Sequence, residues 1–170
     1  MEKITLTIGI PAHNEEANIA HLLTDIAAQN KTDYTLTSVI VCSDGSTDKT
    51  EEIVRTFKDL PIHLIINRRR QGKAGVLNTI FTKSSSDSVV ILDADVHIND
   101  PLFMQKLIMP IVKNEAHITG ARVLELPPKG IFEALLKASM TWKRSLFESV
   151  KNGNNIYTCH GRGRAFSRKL

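Results

Sequence analysis

Residues 90–97 read VILDADVH, an apolar run that stops on two acids, Asp93 and Asp95, one residue apart. A buried strand has no use for two carboxylates, and carboxylates held that close repel unless a cation lies between or beside them. If the strand's period of two continues, both side chains point into the same space. Oxygen donors suit Mg2+ or Mn2+, ions that keep positions open for substrate phosphates. Alone, so short a pattern reads more readily as a solvated acidic turn, and it is the position after VVIL and the other clusters that reverse this.

Three other polar clusters follow apolar runs. SDGSTD (43–48) supplies a glycine turn, hydroxyls and two acids. Helix capping accounts for Ser46, Thr47 and Asp48. It leaves Asp44, nearer the strand end, free to accept a hydrogen bond from a ring N–H of a base. NRRRQGKAGVLN (67–78) sets Arg68, Arg69, Arg70 and Lys73 around two glycines at a helix start, where cations and a helix N-terminus suit an anion. The GxxxxGK[ST] spacing of a P-loop is absent, and Lys73, at the turn itself, is the phosphate candidate. PAHNEE (11–16) offers Asn14 and Glu16 as helix-starting residues and Glu15 as a group facing a ribose or base. His13 has no second His or Cys at ligand spacing.

These clusters must be positioned by the elements between them. Strand-forming runs cover 4–10, 37–43, 62–66 and 88–92, with a weaker one at 117–123. Helical periodicity follows: Asn14 as cap for Ile19, Leu22, Leu23 and Ile26; Ser46 or Asp48 for Ile53, Val54 and Phe57; a third helix from about Ala74. A fourth starts at Asp100-Pro101 and kinks or ends at Pro110. An amphipathic stretch, 131–150, reads as a core helix, with an interfacial helix for a lipid-linked acceptor as the alternative. Alternating strands and helices imply an α/β, mostly parallel sheet covered on both faces, and ligands bind such sheets at the carboxyl ends of the strands. All four clusters therefore belong to one edge.

The bulk composition is compatible with this. At 170 residues the chain forms a single domain, and 42% hydrophobic with 24% charged residues is ordinary for a globular protein. A net charge of +4 suits an anionic ligand or acidic membrane surface, and 5% aromatics, none interleaved with the basic clusters, argue against nucleic acid. Cys42 and Cys159 form neither a CxxC pair nor a disulfide framework, which favours a reducing, cytoplasmic setting. No apolar run approaches the ~20 residues of a membrane span.

Together, IPAHNEEANI, VCSDGSTDKT, NRRRQGKAGVLN and VVILDADV, in this order, resemble the inverting glycosyltransferases of family 2, which have the GT-A nucleotide-sugar-binding fold. The resemblance is strong from residue 4 to about 100 and weaker to the end. It implies a donor-binding core at 1–100 and the start of an acceptor side at 101–170. It further implies that Ala12 and Glu15 line the nucleoside pocket and Asp44 contacts the base. Lys73 and Asn78 would face the ribose–diphosphate, Asp93 would sit by ribose or metal water, and Asp95 would bind the Mg2+ or Mn2+ that bridges the diphosphate. The donor would be of UDP or GDP type. The acceptor would be a glycan or lipid-linked hydroxyl, with peripheral association at the cytoplasmic membrane face.

One feature of the family is absent. Members carry a later acidic pair, usually ED, that supplies the general base, whereas Glu115, Glu125, Glu133 and Glu148 have no adjacent Asp. The expectation is an N-terminal part of a longer enzyme, its base beyond Leu170. The alternatives are a sugar-1-phosphate nucleotidyltransferase, disfavoured by the acidic loop after the first strand, and a non-catalytic nucleotide-sugar-binding module.

Overall fold

The computed structural model describes residues 3–122, 124, 127–150 and 162–168; Cys159 and Glu125 lie outside them. β1 (Ile4–Ala12), β2 (Tyr34–Asp44), β3 (Ile62–Asn67) and β4 (Ser88–Leu92) are parallel and alternate with α1 (Ile19–Ala27), α2 (Thr50–Thr56) and α3 (Gly72–Lys83). After them come α4 (Phe103–Val112), β5 (Ile118–Gly120), α5 (Ile131–Ser149) and β6 (Gly163–Ser167). The sheet runs β3-β2-β1-β4-β6-β5, with β6 antiparallel to both neighbours. This is the expected α/β, mostly parallel architecture.

Strand alternation builds two cores. Leu6, Ile8, Ile10, Val39, Val41, Val90 and Leu92 point to the side covered by α1, α2 and α4. Ile40, Cys42, Val89 and Ile91 point to the other, where α3 lays down Val76 and Ile80. Gly9 lets α3 lie that close: a Cβ there would stand 2.4 Å from Ile80 Cγ2. The missing side chain thus lets the second half of α3 pack directly on β1 and β4.

Several expectations need correction. The weak fifth strand shrinks to Ile118–Gly120, and it joins the sheet through β6 rather than directly. β6, GRAFS, gives no apolar signal because its buried positions are Gly163, Ala165 and Ser167. A Cβ on Gly163 would already meet Ala121 Cβ at 3.0 Å, so small residues are required there. Asn14 does not cap α1, which begins at Ile19; Asn14 adopts φ 56°, a left-handed turn that asparagine tolerates. Pro110 lies inside α4, which ends two residues later, and Asn114, also at φ 56°, closes it. α5 is not a core helix, since none of its residues is buried.

Candidate functional site

The register of the parallel strands puts their carboxyl ends side by side: Ala12 pairs with Ser43, and Asp44 with Asn67. The following loops enclose a cleft of about 290 Å3. Ala12, Glu15, Asp44, Lys73, Asp93 and Asp95, six of the seven residues singled out from sequence, line it together. The seventh, Asn78, does not. It is exposed on α3, five residues beyond Lys73 and so about 140° around the helix. Pro11, His13, Arg70, Gly72, Val76 and Ala94 complete the lining.

Much of the polar chemistry around this cleft holds the loops themselves. Thr47 N donates to Asn14 Oδ1 at 2.8 Å, and Asn14 N donates to Ser46 Oγ at 3.2 Å. Glu16 N donates to Asp48 Oδ2 while Lys49 N donates to Glu16 Oε2, both at 3.0 Å. Glu15 N reaches Thr50 Oγ1 at 2.8 Å, and the Glu15 carboxylate accepts from Asn18 Nδ2 at 2.9 Å. Asn14, Glu16 and Asp48 are thereby consumed in cross-linking the loops after β1 and β2. His13 Nδ1 lies 2.8 Å from the Asp44 carbonyl, which only accepts, so that nitrogen carries the proton. A single histidine after a proline gave no sign of this in the sequence.

Asp44 is only 4% exposed. Its Oδ1 accepts from Gln71 N at 2.8 Å and Asn67 Nδ2 at 3.3 Å, and its Oδ2 accepts from Gly72 N at 2.8 Å. Burial pushes the carboxyl upward, but the Gln71 and Gly72 amides, the Asn67 amide and the Arg70 charge outweigh it, leaving it below the usual carboxylate range. The carboxylate at the end of β2 therefore caps the start of α3, whose own N-cap residue, Gln71, makes no side-chain cap bond. Those two N–H groups are committed to Asp44. The positive charge left for an anion is that of Lys73 and Arg70. Oδ2 of Asp44 retains capacity for one more donor from the cleft.

The two acids that raised the question differ in state. β4 ends at Leu92, and residues 93–96 turn, with Val96 N donating to Asp93 O at 3.4 Å. Asp93 and Asp95 reach the same cleft through this turn rather than by strand alternation. Asp93 Oδ1 is paired with Lys73 Nζ at 2.7 Å. Asp95 is exposed and has no hydrogen bond or ion pair among the described residues. No group of three His, Cys, Asp or Glu suited to a metal occurs among the described residues. The donor set fits Mg2+ or Mn2+, which take carboxylate oxygens from the protein and fill their remaining positions with phosphate and water.

Comparison with known proteins gives the family and the fold. The family model for glycosyl transferase family 2 matches residues 7–170. The chain belongs to glycosyltransferase family 2. It is 30% identical over 159 residues to 4,4'-diaponeurosporenoate glycosyltransferase of Staphylococcus aureus strain bovine RF122 / ET3-1, covering 88% of this chain and 40% of that protein. This family 2 chain thus spans about 40% of the length of such relatives. Its fold superposes on the mannosyltransferase PcManGT from Pyrobaculum calidifontis, solved with GDP-Man and Mn2+, with TM-score 0.71 and 25% identity over 99% of this chain and 46% of that one. Glucosyl-3-phosphoglycerate synthase from Mycobacterium tuberculosis, solved with Mn2+, UDP and glucosyl-3-phosphoglycerate, shares the fold at TM-score 0.70 and 22% identity, over 98% and 57% of the two chains. Membership of the family sets aside the nucleotidyltransferase alternative.

Proposed function

We propose that the cleft is the donor site of an inverting, metal-assisted glycosyltransferase that takes a UDP- or GDP-type sugar. The observation carrying this reading is the exposed carboxylate of Asp95, without a partner among the described residues, beside the Lys73–Asp93 pair at the strand ends of a family 2 fold. In this reading the base lies against Ala12 and Glu15 and donates a ring N–H to the remaining lone pair of Asp44. The diphosphate lies toward Lys73 and Arg70. A Mg2+ or Mn2+ held by Asp95, with Asp93 beside it, supplies positive charge against that diphosphate.

Lys73 then does two things. Unloaded, it neutralises Asp93; with donor present, its ammonium offsets the negative charge that grows on the leaving nucleoside diphosphate. The acceptor hydroxyl attacks the anomeric carbon from the face opposite the leaving group, so configuration inverts as the bond to the diphosphate breaks with its electron pair. The hydroxyl proton goes to a general base, and we assign none of the cleft residues to that task.

Isothermal titration of UDP and GDP, with and without Mn2+, tests the reading on the wild-type chain and on Asp95→Ala. Metal-dependent binding of one nucleotide, weakened at least roughly tenfold in Asp95→Ala, is expected, and it would name the base. Nucleotide binding indifferent to Mn2+ and to Asp95→Ala would remove the metal from the proposal. No binding by a folded chain would remove the donor site. Sugar transfer by a chain that binds donor distinguishes the enzyme from a binding module.

A further inference from the structure

We infer that the exposed face of α5 docks on a bilayer surface bearing anionic lipid headgroups. Ile131, Phe132, Leu135, Leu136, Trp142 and Leu146 are 84%, 73%, 66%, 51%, 70% and 48% exposed. At about 100° per residue they fall, with Met140, within an arc of about 180°. Glu133, Lys137, Arg144 and Glu148 fall in the opposite arc. Clustered on one face, so many large apolar side chains mark a surface made for contact with something other than water.

A second copy and a bilayer are the occupants that Lys143 distinguishes, and a protein segment of other sequence is left as an outcome of the test. It is the one charged residue of α5 inside the apolar arc, with its Nζ 5.8 Å from the centre of the Phe147 ring. Pairing α5 with a copy of itself would press this ammonium into an apolar seam without an acid to meet it, at a desolvation cost. At a bilayer surface the four-carbon stem lies along the apolar face while the ammonium reaches the phosphate layer. Trp142, beside it, is the side chain that favours the water–hydrocarbon boundary. The net charge of +4 adds attraction to an anionic surface. No described helix is long and apolar enough to cross a membrane, so α5, about 28 Å long, would lie in the interfacial plane.

This inference needs no nucleotide and stands or falls apart from the donor site. Trp142 is the chain's only tryptophan, so its fluorescence reports on α5 alone. The full chain is mixed with vesicles of phosphatidylcholine, either pure or containing roughly a quarter phosphatidylglycerol. Co-sedimentation with the anionic vesicles, a blue shift of Trp142 emission and weakening by salt are expected. Lys143→Glu should weaken binding by roughly tenfold or more, and Leu146→Glu should abolish it, with circular dichroism unchanged in both. Absence of partition into either vesicle overturns the inference and assigns the face to a protein segment; equal binding to neutral vesicles also overturns it. A blue shift that grows with protein concentration in the absence of lipid also overturns it, by assigning the face to a second copy.

Discussion

Around the cleft, residues 11–16, 43–50, 67–73 and 93–96 come from four separate parts of the chain; the first three are tied to one another by side chains bonded to backbone amides, and the fourth by the Lys73–Asp93 ion pair. α5 is one continuous helical stretch, with Glu133 accepting from Lys129 N near its start, and none of its residues is fully buried. In the first region most polar groups are spent on structure, so the few left unspent, notably Asp95, stand out as chemistry. In the second the polar groups are ordinary and the apolar ones are left unspent. A group without a partner points to a missing ligand in both regions, but the ligand differs: a cation with a diphosphate in one, an apolar boundary in the other.

Asp44→Ala should break the first region most. It removes the acceptor of three donors, two of them amides at the start of α3, and leaves them facing the hole. A cost of about 3 kcal/mol is expected, read as a lower urea midpoint at constant m-value. A cost below about 1 kcal/mol would mean that water replaces the carboxylate and that α3 is positioned by its packing on Gly9 alone. The acid limb gives a second reading. The folded carboxyl lies below its unfolded value near 3.9, so the native state binds fewer protons. Its contribution is complete above that unfolded value and disappears as pH falls through the folded one. Below about pH 4, the stability of Asp44→Asn should therefore fall less steeply than that of the wild type.

Lys73→Gln separates structure from chemistry within the same cleft. Lys73 and Asp93 form a pair whose side chains are 53% and 21% exposed, and such pairs contribute little to stability. The urea midpoint should move by less than the equivalent of about 0.5 kcal/mol. Affinity for the nucleoside diphosphate should fall by roughly tenfold, because the cation facing the phosphates is gone. The opposite pattern, a clear loss of stability with unchanged affinity, would make the pair a latch for the 93–96 turn and leave Arg70 as the phosphate cation.

The parallel half of the fold was legible because its strands are Ile-, Val- and Leu-rich and broken by strong turn residues, as SVVIL before Asp93 illustrates. β6 was not, because burial there demands glycine, alanine and serine, which carry no apolar pattern. The cleft was legible as a set of residue types at strand ends, but the division of labour within it was not. Nothing in SDGSTD reveals that Asp44 would cap a helix nearly thirty residues later. Nor does PAHNEE show that Asn14 would bind Thr47 N instead of starting α1. Such bonds depend on how far apart the loops stand, which only the packed sheet determines. The misreading of 131–150 has a different source: helical periodicity reports that a face is apolar, not what covers it.

Leu135→Ala is the smallest expected change and the sharpest probe of the contrast between the two regions. A buried leucine cut to alanine typically costs about 2–5 kcal/mol, through lost transfer energy and the cavity left behind. Leu135 is 66% exposed, so little contact is lost and no cavity forms. The urea midpoint of the lipid-free chain should then stay within the equivalent of about 0.5 kcal/mol of the wild type. With anionic vesicles present the same variant should bind more weakly, because the methylenes it lacks are those that would enter the bilayer boundary. A loss above about 1 kcal/mol in the absence of lipid would show that α5 already packs against protein in solution. The two regions would then differ in their partners but not in whether those partners are protein.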